Sequence, residues 1–281
     1  MLVEIVKFFL YAGIIVLISK YILVVTLRKL AENLNLKPKT VGNIAGYATS
    51  MPELLTISIS SINGLVATSV YNILSSNVIN FIQYFASIIM NKNKKAFLNK
   101  AIQIDIILVL VTIIIPFVLV WKNVEIKLIF VPLFLILYAF FYYLNSNCHK
   151  LFLEKEDAEI ARQIQDEGKK ENGNTRKTAL YMLILFGTGI LLYVVGELLG
   201  ETLNSLCYQF RISETVIGIL LGFITSIPEL ITFFEAQKHH KNQNINDMLG
   251  VVEATNNLLT SNTLNLFIIQ TIGIIIYSII Q

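Results

Sequence analysis

The 281-residue chain is 55% hydrophobic and only 15% charged, with a mean hydropathy of +0.66 and a formal net charge of +3. That balance excludes a pair of ordinary soluble domains and predicts one helical bundle in lipid. Two cysteines are too few for a disulfide framework, and the modest basic excess does not call for nucleic acid as a partner.

A helix needs about 20 apolar residues to cross the hydrocarbon core. Eight such stretches occur, roughly 3–27, 41–62, 65–90, 101–121, 126–144, 178–200, 214–237 and 247–280. The first lacks a small-x-small cleavage site and reads as a retained span ending at Arg28-Lys29. The polar linker AENLNLKPKT leads into spans two and three, which are joined at the turn signal Asn63-Gly64. Spans four and five carry Pro116 and Pro132, where kinks are expected. Asp105, near the end of span four, is expected in an interfacial or packing role. Residues 145–177 form one charged soluble segment, a short helix dissolving into Asn and Gly. Span six has Glu197 and Glu201 near its far end, read as interfacial acids. Span seven opens at Ser213-Glu214-Thr215 and leads to the loop AQKHHKNQNIND, whose adjacent His239 and His240 lack metal-ligand spacing. The last stretch is long, and its first turns are expected at the interface.

With the N-terminus outside, the inner side collects Arg28, Lys29, Lys37, Lys39, Lys92, Lys94, Lys95, Lys100, the basic residues of 150–177, Lys238 and Lys241. The outer side keeps Lys7, Lys122, Lys127 and Arg211, and Lys20 snorkels inward from the first span. This positive-inside asymmetry predicts a multi-pass protein of the cell (plasma) membrane with both termini outside. Cys148 and Cys207 then fall on opposite faces and cannot pair.

The chain repeats itself. Residues 42–56 read GNIAGYATSMPELLT and residues 218–232 read GILLGFITSIPELIT, sharing Gly-x3-Gly-x2-Thr-Ser-x-Pro-Glu-Leu-x-Thr. Each copy is followed by a polar-studded apolar segment, NILSSNVIN at 72–80 and NNLLTSNTLN at 256–265. Glu53 lies about 12 residues, hence about 18 Å, into its span, near the middle of a roughly 30 Å core. Glu229 lies equally deep from the other side. A carboxylate at that depth costs about 3 kcal/mol or more, so a matched pair reads as functional rather than structural.

Helical spacing puts Thr49, Ser50, Glu53 and Thr56 on one face, and Thr225, Ser226, Glu229 and Thr232 repeat that stripe. Asn72, Ser76 and Asn80 stack at i+4, as do Asn257, Ser261 and Asn265. The resulting oxygen-only lining suits hard cations such as Ca²⁺ or Na⁺. Pro52 and Pro228 disrupt the backbone bonds to the carbonyls of Ala48 and Ile224, which is tolerated where carbonyls line a cavity or bind an ion. Gly42/Gly46 and Gly218/Gly222 permit close helix approach. Five spans, an odd number, separate equivalent positions, so the copies enter from opposite sides as an inverted repeat able to support alternating access.

At these residues the chain resembles the cation/Ca²⁺ exchanger superfamily, whose alpha-repeats read approximately G-T-S-x-P-E-L and G-N-x-x-G-S-N-x-x-N/D. The resemblance implies that Glu53 and Glu229 ligate Ca²⁺ and that Thr49 and Thr225 offer backbone oxygens. It also implies that Ser50, Ser76, Ser226 and Ser261 serve flanking Na⁺ sites and that Asn80 and Asn265 complete the lining. Departures are Ser75 and Thr260 at the glycine of G-S-N, Tyr71 where a glycine is usual, and Asn at both last positions, which weakens any case for K⁺ dependence. The second copy has about nine extra residues between Glu229 and Ser261. They contain the His239-His240 loop, and in the same copy Glu253 extends the Asn257-Ser261-Asn265 ladder, facing the ion path or forming an interfacial or paired acid. Family members usually have ten spans, five per repeat. Here the expectation is five plus three: a first repeat at 1–144, a cytoplasmic loop at 145–177 and a shortened second repeat at 178–281. A second copy or a partner subunit would cover the shortened side.

The expectation is therefore an all-α, polytopic transmembrane bundle with inverted repeats that exchanges Ca²⁺ for Na⁺ between lipid-separated compartments. A Ca²⁺/H⁺ antiporter using the same glutamates is the alternative, and a non-transporting scaffold or cation sensor is the alternative of another class. No metalloprotease or serine-nucleophile motif occurs, so neither enzymatic activity nor a cofactor is expected.

Overall fold

The computed structural model describes residues 2–34, 38–122, 127–156, 175–242 and 247–280. The first span is α1 (Leu2–Ile18) and α2 (Val25–Asn33), joined through a π-helical segment, Ser19–Val24. Then come α3 (Pro38–Thr49) and α4 (Met51–Ile62), α5 (Val66–Met90), α6 (Lys100–Trp121), α7 (Phe130–Glu156) and α8 (Thr175–Asn204). The chain closes with α9 (Glu214–Thr225) and α10 (Ile227–Asn242), then α11 (Asp247–Leu264) and α12 (Gln270–Ile280). Among the described residues no strand is present.

Among the described residues six stretches are long and apolar enough to cross a membrane, and Phe130–Asn145 is a shorter apolar helix. The eighth expected span is the α3–α4 pair, which is broken in its middle. Bulky apolar side chains point outward from the rim, among them Phe186 (74% exposed) and Ile136 (66%), as lipid-facing positions should.

Hydrogen bonds show which ends share a face. Asn33 donates to Thr178 Oγ1, Lys39 to the Asn145 carbonyl and Asn93 to Gln237 Oε1, which gathers the basic chain ends on one side. On the other side Glu214 Oε2 accepts from the Ala67 amide, and Tyr208 donates to the Asn63 carbonyl beside the Gly64 turn (φ 75°). The α3–α4 pair thus enters from the basic face and the α9–α10 pair from the opposite one, giving the inverted arrangement.

Three details differ from expectation, and Asp105 takes the packing role expected of it. Pro132 kinks nothing: it sits in the first turn of α7, where a missing amide hydrogen is tolerated. The first turns of the last span are packed inside the protein, with Leu249 and Val251 fully buried. They cover α3 and α10 instead of lying along an interface. The segment after residue 144 continues α7 as helix to Glu156; residues 157–174 of the charged loop lie outside the described residues. Asp105 is a packing acid, 1% exposed, whose Oδ1 accepts from Asn145 Nδ2.

Glu197 is exposed and accepts from Tyr193, as a rim acid should. Cys148 lies toward the basic-face end of α7, and Cys207 lies in the π segment Ser205–Gln209 near the opposite face. The side chains of His239 and His240 fall outside the described residues.

Candidate cation site

Both repeats break where the sequence places its proline. Ser50 (φ −82°, ψ 1°) separates α3 from α4, and Ser226 (φ −79°, ψ −2°) separates α9 from α10. Pro52 and Pro228 each occupy the second position of the new helix, where no intrahelical amide donor is needed. The next residue is the acid. Glu53 and Glu229 therefore stand in the first turn of a half-helix, where the free amide ends favour a negative side chain.

The glycines bring the two halves together. A Cβ on Gly46 would lie 2.8 Å from Thr260 Cβ and 2.9 Å from the Asn257 carbonyl oxygen; one on Gly218 would lie 2.7 Å from the Thr68 carbonyl oxygen. Only hydrogen fits there, so α3 seats directly on α11 and α9 on α5. The unusual Tyr71 and Ser75 are accommodated in the same way, against Gly218 and Gly222.

All ten predicted residues are buried at the centre of the bundle, each no more than 1% exposed. Glu53 interacts electrostatically with Glu229 and faces Thr225, while Glu229 faces Thr49. Contacts within and between the repeats come in pseudo-symmetric pairs. Asn72 Nδ2 donates to Thr56 Oγ1 (2.7 Å), and Asn257 Nδ2 donates to Thr232 Oγ1. Asn80 Nδ2 reaches Ser261 Oγ (3.4 Å), and Asn265 Nδ2 reaches Ser76 Oγ (3.2 Å). Ser50 and Ser261 hydroxyls lie 3.0 Å apart, Ser226 Oγ donates to the Ser76 carbonyl (3.5 Å), and Ser261 Oγ donates to Glu229 Oε1 (3.1 Å). The Thr56 and Thr232 hydroxyls also bond the carbonyls of Glu53 and Glu229, locking both acids' backbones.

Sequence reasoning missed Asn77 and Asn262. Asn77 Nδ2 donates to the Asn262 carbonyl (3.3 Å) and Asn262 Nδ2 to the Asn77 carbonyl (3.1 Å), a reciprocal clasp on the pseudo-dyad. Their side chains also accept from Asn265 and Asn80. The i+4 ladder left them out because each follows its serine by one residue. Recurrence of Ser-Asn in both copies was the available signal.

The chemistry lies in what these contacts leave over. The amide nitrogens of Asn72, Asn80 and Asn265 are spent on neighbours, while their Oδ1 atoms, both Glu53 carboxyl oxygens and Glu229 Oε2 have no hydrogen-bond partner among the described residues. A buried pocket with acceptors and two like charges is costly unless a cation satisfies it. Oxygen ligands with two negative charges fit a hard cation of charge +2, or two of charge +1. Among the described residues no cluster of three or more His, Cys, Asp or Glu exists, and the polar groups beside the two acids are hydroxyls and amides.

Comparison with known proteins bears on the fold and the family. The chain superposes on the sodium-calcium exchanger NCX_Mj soaked with 100 mM Na⁺ and 10 mM Sr²⁺, with TM-score 0.54, 21% identity, and coverage of 98% of this chain and 83% of that one. It superposes on the H⁺/Ca²⁺ exchanger CAX with TM-score 0.66, 15% identity, and coverage of 98% and 68%. A sequence comparison with curated proteins gives no match. The profile of the family described as sodium/calcium exchanger protein matches residues 5–147 and 180–281. The chain belongs to the sodium/calcium exchanger protein family of membrane transporters.

Proposed function

We propose that the protein is a secondary antiporter exchanging Ca²⁺ for Na⁺ by alternating access at the midplane site. The observation that carries this reading is the convergence of Glu53 and Glu229, from oppositely inserted repeats, in a buried lining whose unsatisfied atoms are oxygens. One Ca²⁺ neutralises both carboxylates. Na⁺ ions do the same when taken up between the acids and the flanking hydroxyls of Ser50, Ser76, Ser226 and Ser261, with Thr49, Thr225, Asn80 and Asn265 completing the shell. Coupling follows from charge. The loaded pocket is near neutral and can close, whereas the bare pair of carboxylates resists dehydration and keeps the site open to one side. Alternation then exchanges one cargo for the other.

The basic face, carrying Lys29, Lys92 and Lys95 on exposed ends, is cytoplasmic, and both described termini lie outside in the plasma membrane. Lipid and small cations are the partners this reading requires. The test is ⁴⁵Ca²⁺ uptake by reconstituted vesicles. An outward Na⁺ gradient drives uptake, and Glu53→Gln abolishes it while the protein still inserts and purifies. Uptake driven by a pH gradient alone would replace Na⁺ with H⁺ as the coupling ion. Calcium binding without any flux would make the protein a sensor.

A further inference from the structure

The inverted repeat predicts two equivalent approaches to the site, one from each face, and the side chains break that equivalence at one position. Gly42 of α3 packs on the carbonyl of Glu253, and Gly218 of α9 packs on the carbonyl of Thr68, so Glu253 and Thr68 are pseudo-symmetric. Thr68 lies at the opposite face and bonds the Glu214 carbonyl. Glu253 is an acid, 3% exposed, one helical turn before Asn257 on the side of α11 that continues through Ser261 and Asn265. Its Oε1 accepts from Arg28 Nη2 at 2.6 Å, a charge-assisted contact reaching across from the first span.

Between this ion pair and Thr232, the hydroxyl that holds Asn257 in the site, lies a narrow gap walled by Val24, Ile44 and Ala45. It holds ≈ 10 Å³, about the room one water needs and too little for a hydrated ion.

We propose that Glu253 is an entry subsite for the transported cation at the basic face, and that the Arg28 guanidinium acts as its built-in counterion, shutting that path in this conformation. A hard cation arriving from the basic side meets a buried carboxylate one turn from the central lining and displaces a tethered monovalent cation. When the ion moves on, Arg28 returns and reseals the gap. At the matching position the opposite face carries Thr68, with the Glu214 carboxylate against the Ala67 and Thr68 amides, so each entrance has an acid but the basic-face acid is the one held by Arg28. A mere packing bridge would tie α2 to α11 without governing access, and the experiment is built on that difference.

The proposal rests on the antiporter reading, and the experiment separates the two. In the full chain carrying Cys148→Ser and Cys207→Ser, Ala45→Cys places a thiol in the wall of the gap, and the rate of its modification by a charged thiol reagent is measured on purified protein. The pair Arg28→Gln with Glu253→Gln removes both charges together and leaves neither buried alone. The expected result is slow labelling with Arg28 and Glu253 present and labelling at least about tenfold faster in the double variant, with Ca²⁺ slowing both. An unchanged rate in the double variant, with Ca²⁺ still protecting, keeps the central site and overturns the latch. Fast labelling without any Ca²⁺ effect keeps the latch and overturns the antiporter reading.

Discussion

Gly222→Ala introduces one methyl group at the close crossing of α9 on α5. The added Cβ would lie 2.6 Å from the Asn72 carbonyl oxygen and 2.9 Å from the Ser76 amide nitrogen, and closer still to Ser75 Oγ. The serine can rotate away, but the backbone contacts are roughly 1 Å short of ordinary van der Waals separation, so α5 must move. Overpacking of this kind costs about 1–3 kcal/mol. The shift falls on Asn72 and Ser76, one bonded to Thr56 and the other to Asn265, so the lining is displaced along with the helix. An error of about 1 Å in placement can reduce a positioned reaction by about 10²-fold. The expected outcome is a lower thermal unfolding midpoint in detergent and a ⁴⁵Ca²⁺ exchange rate reduced by about that factor. Gly187→Ala is the control, because nothing lies within 4 Å of its added Cβ. Adding Ser75→Gly to Gly222→Ala removes the nearest obstacle and restores part of both losses. Unaltered stability and exchange in Gly222→Ala would refute the direct seating of α9 on α5.

Further outcomes are expected at the pseudo-dyad and the periphery. Asn77→Ala and Asn262→Ala each remove one half of the reciprocal clasp and the acceptor that Asn265 or Asn80 uses, two buried hydrogen bonds worth about 1–3 kcal/mol together. Because the two side chains are neighbours on the pseudo-dyad, a double-mutant cycle on unfolding gives a coupling energy of about 0.5 kcal/mol or more. Asp105→Asn keeps an acceptor toward Asn145, so exchange continues close to the unsubstituted rate while thermal stability falls. Loss of exchange in that variant would instead place Asp105 on the ion path. Saturating Ca²⁺ stabilises the folded protein by about 2.7 kcal/mol at 100 times its dissociation constant, a gain absent from Glu53→Gln.

Much of this organisation is written in the sequence because intramembrane acids are expensive. Glu53 and Glu229 have no bland account at that depth, and Pro52 and Pro228 mark beforehand where the helices break. The ladders of Asn and Ser could be assigned to one face because helical spacing is fixed. Asn77 and Asn262 escaped that logic, since their role depends on a crossing between repeats that no single-helix pattern encodes. The partner of Glu253 was equally hidden: Arg28 stands 225 residues earlier, at what reads as an ordinary basic end to a span. Tyr71 stands where a glycine is usual, and the room it needs comes from Gly218 on the facing helix. Pro132 misled because a proline's effect depends on its place in the helix, and α7 begins only two residues before it.

The measurement closest to the core of the account is anomalous diffraction from crystals of the purified protein soaked in Sr²⁺. The expected result is a single strong peak between Glu53 and Glu229, with oxygen ligands at about 2.3–2.6 Å if Sr²⁺ follows Ca²⁺ geometry. That peak would weaken as Na⁺ replaces Sr²⁺ and disappear in Glu53→Gln. A peak bound elsewhere, or carboxyl groups of Glu53 and Glu229 turned away from a common ion, would contradict it.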